Sequence, residues 1–379
     1  MQAFSTEEEL TKCFLDLRKY PNVIGIDGEL QPKIKDGKIL NSLAIRVYVS
    51  KKIPRDQFRK RNVISKIFNK HLSLEDLIPE TINGYPVDVV EMGEVHSLDE
   101  VEVVAPRPVT PRQKTQLRYR PLLAGTSATH YRSTACTLNC LFIENGTGRL
   151  LMASNNHCFG KENTAKVGDS ILQPSPYDGG IEPIDKIGEF YKCIEIKFIQ
   201  VKNPIKDFFL KIFKTFRPEE AFFNRVDIAF ASFIGCSNCP KCNPITNICL
   251  VKIYGIGLPI GKKLPNLNQR VQKVGRTTGV TVGSVVSTSW TGTVKYSRGS
   301  ATFIDCILVS GKNFSLGGDS GSPVLDMNSN YIGTLFAGSG NHSIICKYTN
   351  IEKEGNCELV ILPPQIKVRR IKESKRRLN

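Results

Sequence analysis

The apolar positions near the N-terminus change period twice. Leu10, Phe14 and Leu17 recur at helical spacing, and Ser5 and Thr6 stand three residues before Glu8 and Glu9 in a capping-box arrangement, so residues 5–20 are expected to form a helix. The period then falls to two. Leu43, Ile45, Val47 and Val49 alternate with neighbours of mixed polarity, and residues 22–30 and 39–49 read as two strands around the turn-forming Asp36-Gly37. A basic helical stretch is expected after Pro54, and Asn83-Gly84 leads into a last strand near residues 87–92. Residues 1–95 thus read as a small α+β domain.

Residues 96–120 lose the pattern: Pro106, Pro108 and Pro111 stand among Arg107, Arg112, Lys114, Arg118 and Arg120, with few large apolar groups, as in a linker or an extended strap. From 121 to 365 short apolar runs are broken by Gly, Asn and Pro, the mark of an all-β sandwich or barrel, over a length that suits two small barrels. The fold class expected is therefore mainly β, preceded by the α+β domain. One segment departs from it. Ile205, Phe208, Phe209, Ile212, Phe213 and Phe216 lie on one helical face with Lys206, Lys211 and Lys214 elsewhere, so about 203–217 reads as a basic amphipathic helix inserted in the β unit. Such a helix either packs on a barrel or attaches to a membrane surface. Residues 366–379 form a basic tail.

Composition changes this picture little and charge changes it more. The 379 residues are 40% hydrophobic and 23% charged, which excludes pervasive disorder, and no apolar run is long enough for an integral membrane span. Glu7, Glu8 and Glu9 stand where a secretion signal carries basic residues, so a cytoplasmic location is expected. The net charge of +16 is concentrated in residues 51–70, 192–217 and 367–379. Basic segments of this kind can meet an anionic surface, lipid or nucleic acid, or simply face water; no zinc-finger, RRM or KH signature accompanies them.

Three residues could carry chemistry together. In Gly317-Gly318-Asp319-Ser320-Gly321-Ser322-Pro323-Val324 the glycines let backbone N–H groups of Gly318 and Ser320 converge as an oxyanion hole while the Ser320 oxygen stands clear of side-chain bulk. Alone, the motif is equally a surface loop. Of the five histidines, His71, His96, His130, His157 and His342, only His157 follows a buried-looking strand, Leu150-Leu151-Met152-Ala153-Ser154, whose end holds it as a general base. Asp227 lies in the apolar run Val226-Asp227-Ile228-Ala229-Phe230, where an acid is costly without a partner; orienting His157 supplies one, and Arg225 is the plainer alternative.

In the order His, Asp, Ser, with Asn155-Asn156-His157-Cys158, Arg225-Val226-Asp227 and Gly318-Asp319-Ser320-Gly321, the chain resembles the chymotrypsin/trypsin-like serine peptidases over roughly residues 121–362. It is similar to the Narrow-leaf-type bacterial, archaeal and plant branch in Ser154-Asn155-Asn156-His157, in residues 271–279 (Val-Gln-Lys-Val-Gly-Arg-Thr-Thr-Gly) and in Val87-Asp88-Val89-Val90. The resemblance implies two six-stranded barrels with the active site between them, a protein or peptide substrate, and no cofactor for catalysis. It implies His157, Asp227 and Ser320 as the triad of a serine endopeptidase, and a pocket for small or apolar side chains lined by Phe314, Leu335, Phe336, Ala337 and Gly338. The usual Gly-Asp-Ser-Gly-Gly-Pro reads Gly-Asp-Ser-Gly-Ser-Pro here, and the Ile-Val-Gly-Gly start of the secreted members is absent.

Cys140 with Cys158 mimics the family's histidine-loop disulfide, with Cys136 as a rival partner. Cys236, Cys239, Cys242 and Cys249 suit a closed structural zinc site; two disulfides, an iron–sulfur cluster and free thiols stay open beside it. The rival to the enzyme reading is a catalytically silent scaffold or binding protein, its cleft blocked by the insertion at 203–217.

Overall fold

A computed structural model describes residues 3–20, 22–35, 38–53, 78–98, 113–199, 223–233 and 252–361, whose regular elements are mainly strands. The turn Asp36-Gly37, the basic stretch after Pro54, His71, residues 99–112 of the Pro/Arg-rich segment, the amphipathic segment 203–217, the cluster Cys236, Cys239, Cys242 and Cys249, and the tail 366–379 lie outside the described residues.

Helix α1 (Glu7–Leu17) opens as expected, with Thr6 accepting from the Glu9 N–H and with Leu10, Phe14 and Leu17 buried. Strands β1 (Val23–Lys35) and β2 (Lys38–Val49) follow, the first running past the expected end at residue 30 because Gln31, Pro32 and Ile34 continue the pairing to β2 through bulges. Next come β3 (Thr81–Ile82), β4 (Tyr85–Glu91) and β5 (His96–Ser97). Asn83 and Gly84, both at positive φ, make the two-residue turn between β3 and β4. This unit has its own apolar core, formed by Phe14, Ile26, Ile45, Val47 and Val87 among others.

The larger β unit begins with β6 (Thr129–His130), β7 (Leu141–Glu144), β8 (Leu150–Ser154), β9 (Ser170–Leu172), β10 (Lys186–Cys193), β11 (Phe223–Asn224) and β12 (Ala229–Phe233). It continues with β13 (Gly261–Lys262), β14 (Arg270–Gly275), β15 (Gly279–Tyr296), β16 (Gly299–Ser310), β17 (Pro323–Asp326), β18 (Asn330–Ser339), β19 (His342–Lys347), helix α2 (Tyr348–Gly355) and β20 (Cys357–Leu359). The expectation of a mainly β fold is met. Strands β14, β15, β16, β19, β18 and β17 pair in a ring, each with the next and the last with the first, which closes a six-stranded barrel. A second sheet runs in the order β20-β7-β8-β12-β10-β9-β6 around a core of Leu138, Leu141, Met152, Phe159, Ile171 and Phe190. A larger apolar cluster containing Phe142, Phe230, Trp290, Phe303 and Phe336 draws side chains from both sheets.

The N-terminal unit is hydrogen-bonded to the barrel. Strand β1 pairs antiparallel with β15 at Gly25–Gly292, Ile26–Thr291 and Asp27–Trp290. Glycine on both sides is a matter of space: a Cβ on Gly25 or Gly292 would stand 2.6 or 2.2 Å from the indole of the fully buried Trp290. At the same junction Asp27 is completely buried and accepts from the Glu29 N–H, the Ser287 and Tyr48 hydroxyls and the Gln31 amide. Burial outweighs those donors and pushes its carboxyl up from 3.8 to about 7. An acid whose folded pKa is raised binds its proton more tightly in the native state, so its contribution to stability falls as pH rises between those two values. Asp27→Asn carries no such titration. Wild-type Tm relative to that variant, followed by the fluorescence of the chain's single Trp, is expected to fall from pH 4 to pH 7 and then level off. A pH-independent difference contradicts this. Among the described residues no helix is long and apolar enough to cross a membrane.

Candidate active site

His157 sits on a single helical turn, Asn156–Gly160, immediately after β8, and Asp227 on the segment entering β12, the strand that pairs with β8. Adjacent strands therefore deliver the base and the acid to one place. Asp227 Oδ2 lies 2.5 Å from His157 Nδ1, both side chains fully buried. The carboxylate is held on its other side: the N–H groups of Asn156 and His157 donate to Oδ1 at 2.6 and 3.2 Å, and the Tyr296 hydroxyl donates to Oδ2 at 3.0 Å. A buried carboxylate with this many donors has its charge balanced by dipoles. The asparagines before His157 shape the turn. Asn155 Nδ2 donates to the Asp227 carbonyl at 2.6 Å, while Asn156 Nδ2 reaches Asn163 and the Ile194 carbonyl. Arg225, the alternative partner for Asp227, turns outward to Glu7.

Ser320 comes from the loop between β16 and β17. Its carbonyl accepts from the Thr137 N–H at 2.8 Å and lies 4.0 Å from Cys158 Sγ, next to His157. Its Oγ is buried with no hydrogen-bond partner among the described residues. Gly318 and Gly321 both have φ of +90°, and a Cβ on Gly321 would stand 2.2 Å from the Thr137 carbonyl, so the motif's glycines are fixed by conformation and by space. The Gly318 N–H, one of the two expected oxyanion donors, donates to the carbonyl of Leu98 at 2.6 Å.

Asp319 holds the loop in shape. It accepts from the N–H groups of Thr277, Thr278 and Leu316 at 2.7, 3.1 and 3.0 Å and from the Thr278 hydroxyl at 2.7 Å. The Lys273 ammonium lies 3.2 Å away, both charges fully buried. Burial pushes Lys273 below the usual lysine range and Asp319 pulls it back up. A cation from within the chain thus stands against Asp319. In the same segment Arg276, fully buried, makes a bidentate pair with Asp178, and its N–H donates to Thr137 Oγ1 at 2.9 Å. The segment 271–279, quoted above only for its resemblance, is the support of the Ser320 loop.

The pocket residues divide. Phe314 and Leu335 belong to one buried cluster with Val271, Val285 and Ile345, against which Leu98 packs. Phe336 turns into the other core, its ring 4.6 Å from that of Phe303, and offers the groove only its carbonyl, to which the Leu98 N–H donates at 3.3 Å. Ala337 and Gly338 line the groove with backbone, pairing with Ser97 and His96.

The cysteine pairing needs correction. Cys158 is bonded to Cys136, Cα atoms 6.0 Å apart, and Cys140 is a free buried thiol. Cys136 and Cys158 share the core inside the second sheet, whereas Cys140 faces the larger cluster between the sheets. Burial pushes the Cys140 thiol up, which leaves it inert. Replacing both Cys136 and Cys158 by Ser is expected to cost about 2–4 kcal/mol of unfolding free energy, measured in urea, since the bridge closes a loop of 22 residues beside the base. No loss would mean that it staples nothing. Cys136, His157 and Cys158 also bring three donor atoms within 4.8 Å of one another. They do not fit a metal: the disulfide takes both thiolates and Asp227 engages Nδ1 of the histidine.

Sequence reasoning missed Tyr296, Asp178 and the structural roles of Lys273 and Arg276. The signal available was a lysine and an arginine in the strand-like run 271–276, which are costly to bury unless paired.

No protein-family model and no curated protein matches this chain. Among solved structures it is similar to Protease A of Thermobifida fusca, at 15% identity and a TM-score of 0.39 over 63% of this chain and 98% of that one. A Nocardiopsis protease matches at 16% and 0.39 over 62% and 97%, and a chymotrypsin of Cellulomonas bogoriensis at 16% and 0.38 over 63% and 98%. At those scores the function has to be argued from this chain's own residues.

Proposed function

We propose that the chain is a serine endopeptidase of the chymotrypsin/trypsin-like kind, with Ser320 as nucleophile, His157 as general acid/base, Asp227 as the acid that orients it, and the N–H groups of Gly318 and Ser320 as the oxyanion hole. The observation that carries this reading is the fully buried Asp227–His157 pair, with the buried Ser320 held so that its carbonyl lies 4.0 Å from the Sγ of Cys158, the neighbour of His157. Asp227 fixes the proton of His157 on Nδ1 and stabilises the imidazolium that forms when Nε2 takes the Ser320 proton. Ser320 Oγ attacks a peptide carbonyl, the Gly318 and Ser320 N–H groups receive the developing oxyanion, and His157 returns its proton to the departing amine. Water then hydrolyses the acyl-enzyme by the same route. The cluster of Phe314 and Leu335 suits an apolar side chain.

The test is hydrolysis of a quenched-fluorescent peptide library. Ser320→Ala is expected to lower the rate by at least about 10³-fold, and activity that survives the substitution overturns the reading.

The Narrow-leaf-type branch is proposed on the motifs quoted above. A second reading, the silent scaffold, is favoured by one observation: residues 96–98 of the chain itself lie in the groove. In that case no peptide is cleaved by any form of the protein. A cytoplasmic location is proposed in a cell whose cytosol tolerates disulfides, as in hyperthermophiles, because of the Cys136–Cys158 bridge. Zinc at Cys236, Cys239, Cys242 and Cys249 and anionic partners for the basic segments are proposed on sequence alone.

A further inference from the structure

The segment expected to be a linker or an extended strap begins by entering the candidate active site. Val95 is buried and its carbonyl accepts from the Lys295 N–H at 3.0 Å. Strand β5 then lies antiparallel on β18, with His96 opposite Gly338 and Ser97 opposite Ala337. The next residue, Leu98, donates its N–H to the Phe336 carbonyl at 3.3 Å and places its own carbonyl oxygen 2.6 Å from the Gly318 nitrogen. Its side chain packs on the cluster of Phe314 and Leu335, and Leu98 Cδ2 lies at van der Waals distance, 3.4 Å, from where a Cβ on Gly338 would stand.

Three requirements of a bound peptide substrate are met by one residue. The backbone is registered on the end of β18 that extends past its pairing with β17, the side chain lies against an apolar cluster, and the carbonyl sits on the N–H that would receive its negative charge. A segment that merely covered the groove would satisfy the first and have no need of the third. We propose that the chain is its own first substrate, cleaved after Leu98, and that a leucine-sized apolar side chain before the scissile bond is what the site selects. This rests on the endopeptidase reading above.

In the reaction, Ser320 Oγ forms an ester to the Leu98 carbonyl carbon and its proton passes to His157. The bond from that carbon to the nitrogen of Asp99 breaks as His157 delivers the proton to the leaving amine. Water then attacks the ester, giving one proton through His157 to Ser320 Oγ and leaving Leu98 with a carboxyl group, which releases its remaining proton to solvent. Because the segment belongs to the same chain, cleavage is unimolecular and its rate is independent of protein concentration. The two pieces stay together after cleavage, since β1 remains paired with β15 and the Ser339 hydroxyl holds the Met92 carbonyl. A denaturing readout is therefore required.

The experiment follows the full chain by denaturing intact mass during incubation, together with labelling by a fluorophosphonate probe, in wild type, Ser320→Ala, Leu98→Met and Leu98→Asp. Wild type and Leu98→Met are expected to split into a piece ending at residue 98 and a piece beginning at Asp99, at a rate unchanged over a tenfold dilution. Ser320→Ala is expected to stay whole. Leu98→Asp is expected to stay whole at that bond while its Ser320 takes up the probe faster than that of wild type, because an aspartate is poorly held by the apolar cluster. A wild type that stays whole while the probe labels Ser320 overturns self-cleavage and leaves the peptidase reading standing. Cleavage elsewhere, or cleavage that persists in Ser320→Ala, also overturns it. If no form is cut or labelled, the peptidase reading fails and takes this proposal with it. The comparison of wild type with Ser320→Ala decides the matter even if a Leu98 variant folds poorly.

Discussion

Replacing Asp227 by Asn is expected to lower kcat/KM on a peptide substrate by about 10⁴-fold while the protein stays folded. The size follows from what the carboxylate holds. Its Oδ1 accepts the Asn156 and His157 N–H groups, which an asparagine carbonyl oxygen still does, so the turn carrying His157 survives. Its Oδ2 faces His157 Nδ1 at 2.5 Å and the Tyr296 hydroxyl at 3.0 Å. An amide NH₂ in that place turns Nδ1 into an acceptor and moves the imidazole proton to Nε2, where it cannot receive the proton of Ser320. Tyr296 can accept from the new NH₂, so no buried polar group is orphaned. Unchanged thermal unfolding with a collapse of kcat/KM is the signature; a loss below about tenfold contradicts the assigned role, for which the handicap of a wrong tautomer is far larger.

The second large effect is expected at Lys273. Lys273→Met leaves the Asp319 carboxylate buried without its cation, and breaking a buried ion pair from one side typically costs about 3–5 kcal/mol. The protein can relieve part of that cost by taking a proton onto Asp319 or by turning Asp319 toward solvent. That movement pulls Gly318 and Ser320 with it, because Asp319 stands between them and anchors the loop to Thr277, Thr278 and Leu316. Loss of stability and loss of Ser320 reactivity are therefore expected together. Lys273→Met combined with Asp319→Asn removes both charges and is expected to regain part of the stability: an asparagine oxygen in place of Oδ1 still accepts from the Thr277 and Thr278 N–H groups and its NH₂ can donate to the Thr278 hydroxyl, while the Leu316 N–H loses its acceptor. A Lys273→Met protein with wild-type Tm and reactivity contradicts the account.

What could be read from the sequence was what local physics dictates. Gly318 and Gly321 announce themselves because positive φ at two positions around a serine leaves few other residues possible. Asp227 is conspicuous because an acid in an apolar strand must have a buried partner, and His157 because its strand ends there. Helix α1 and strands β1, β2 and β4 follow from period and from the turn-forming residues beside them. The rest depends on contacts distant in sequence. Tyr296 lies 69 residues from the carboxylate it supports, and nothing around it in the long strand β15 distinguishes its hydroxyl. The disulfide partner of Cys158 is decided by which core each cysteine faces, and Cys136 and Cys140 are both buried. Helix α2 reads as part of the β unit, since with Ile351 as its buried apolar residue it has no helical stripe to show. The sharpest difference concerns residues 96–98. Their polar, short-stranded character reads as the start of a linker, and only the register on β18 reveals a peptide held as a substrate would be.

The account's central claim is that Ser320 is a nucleophile activated by His157, and fluorophosphonate labelling of the folded full chain tests it most directly. The account predicts one adduct, on Ser320, present in the Leu98→Asp chain whose groove is weakly held, and absent when Ser320→Ala or His157→Ala is added to it. A folded chain that takes up no probe in either background, or one that labels equally well without His157, contradicts it.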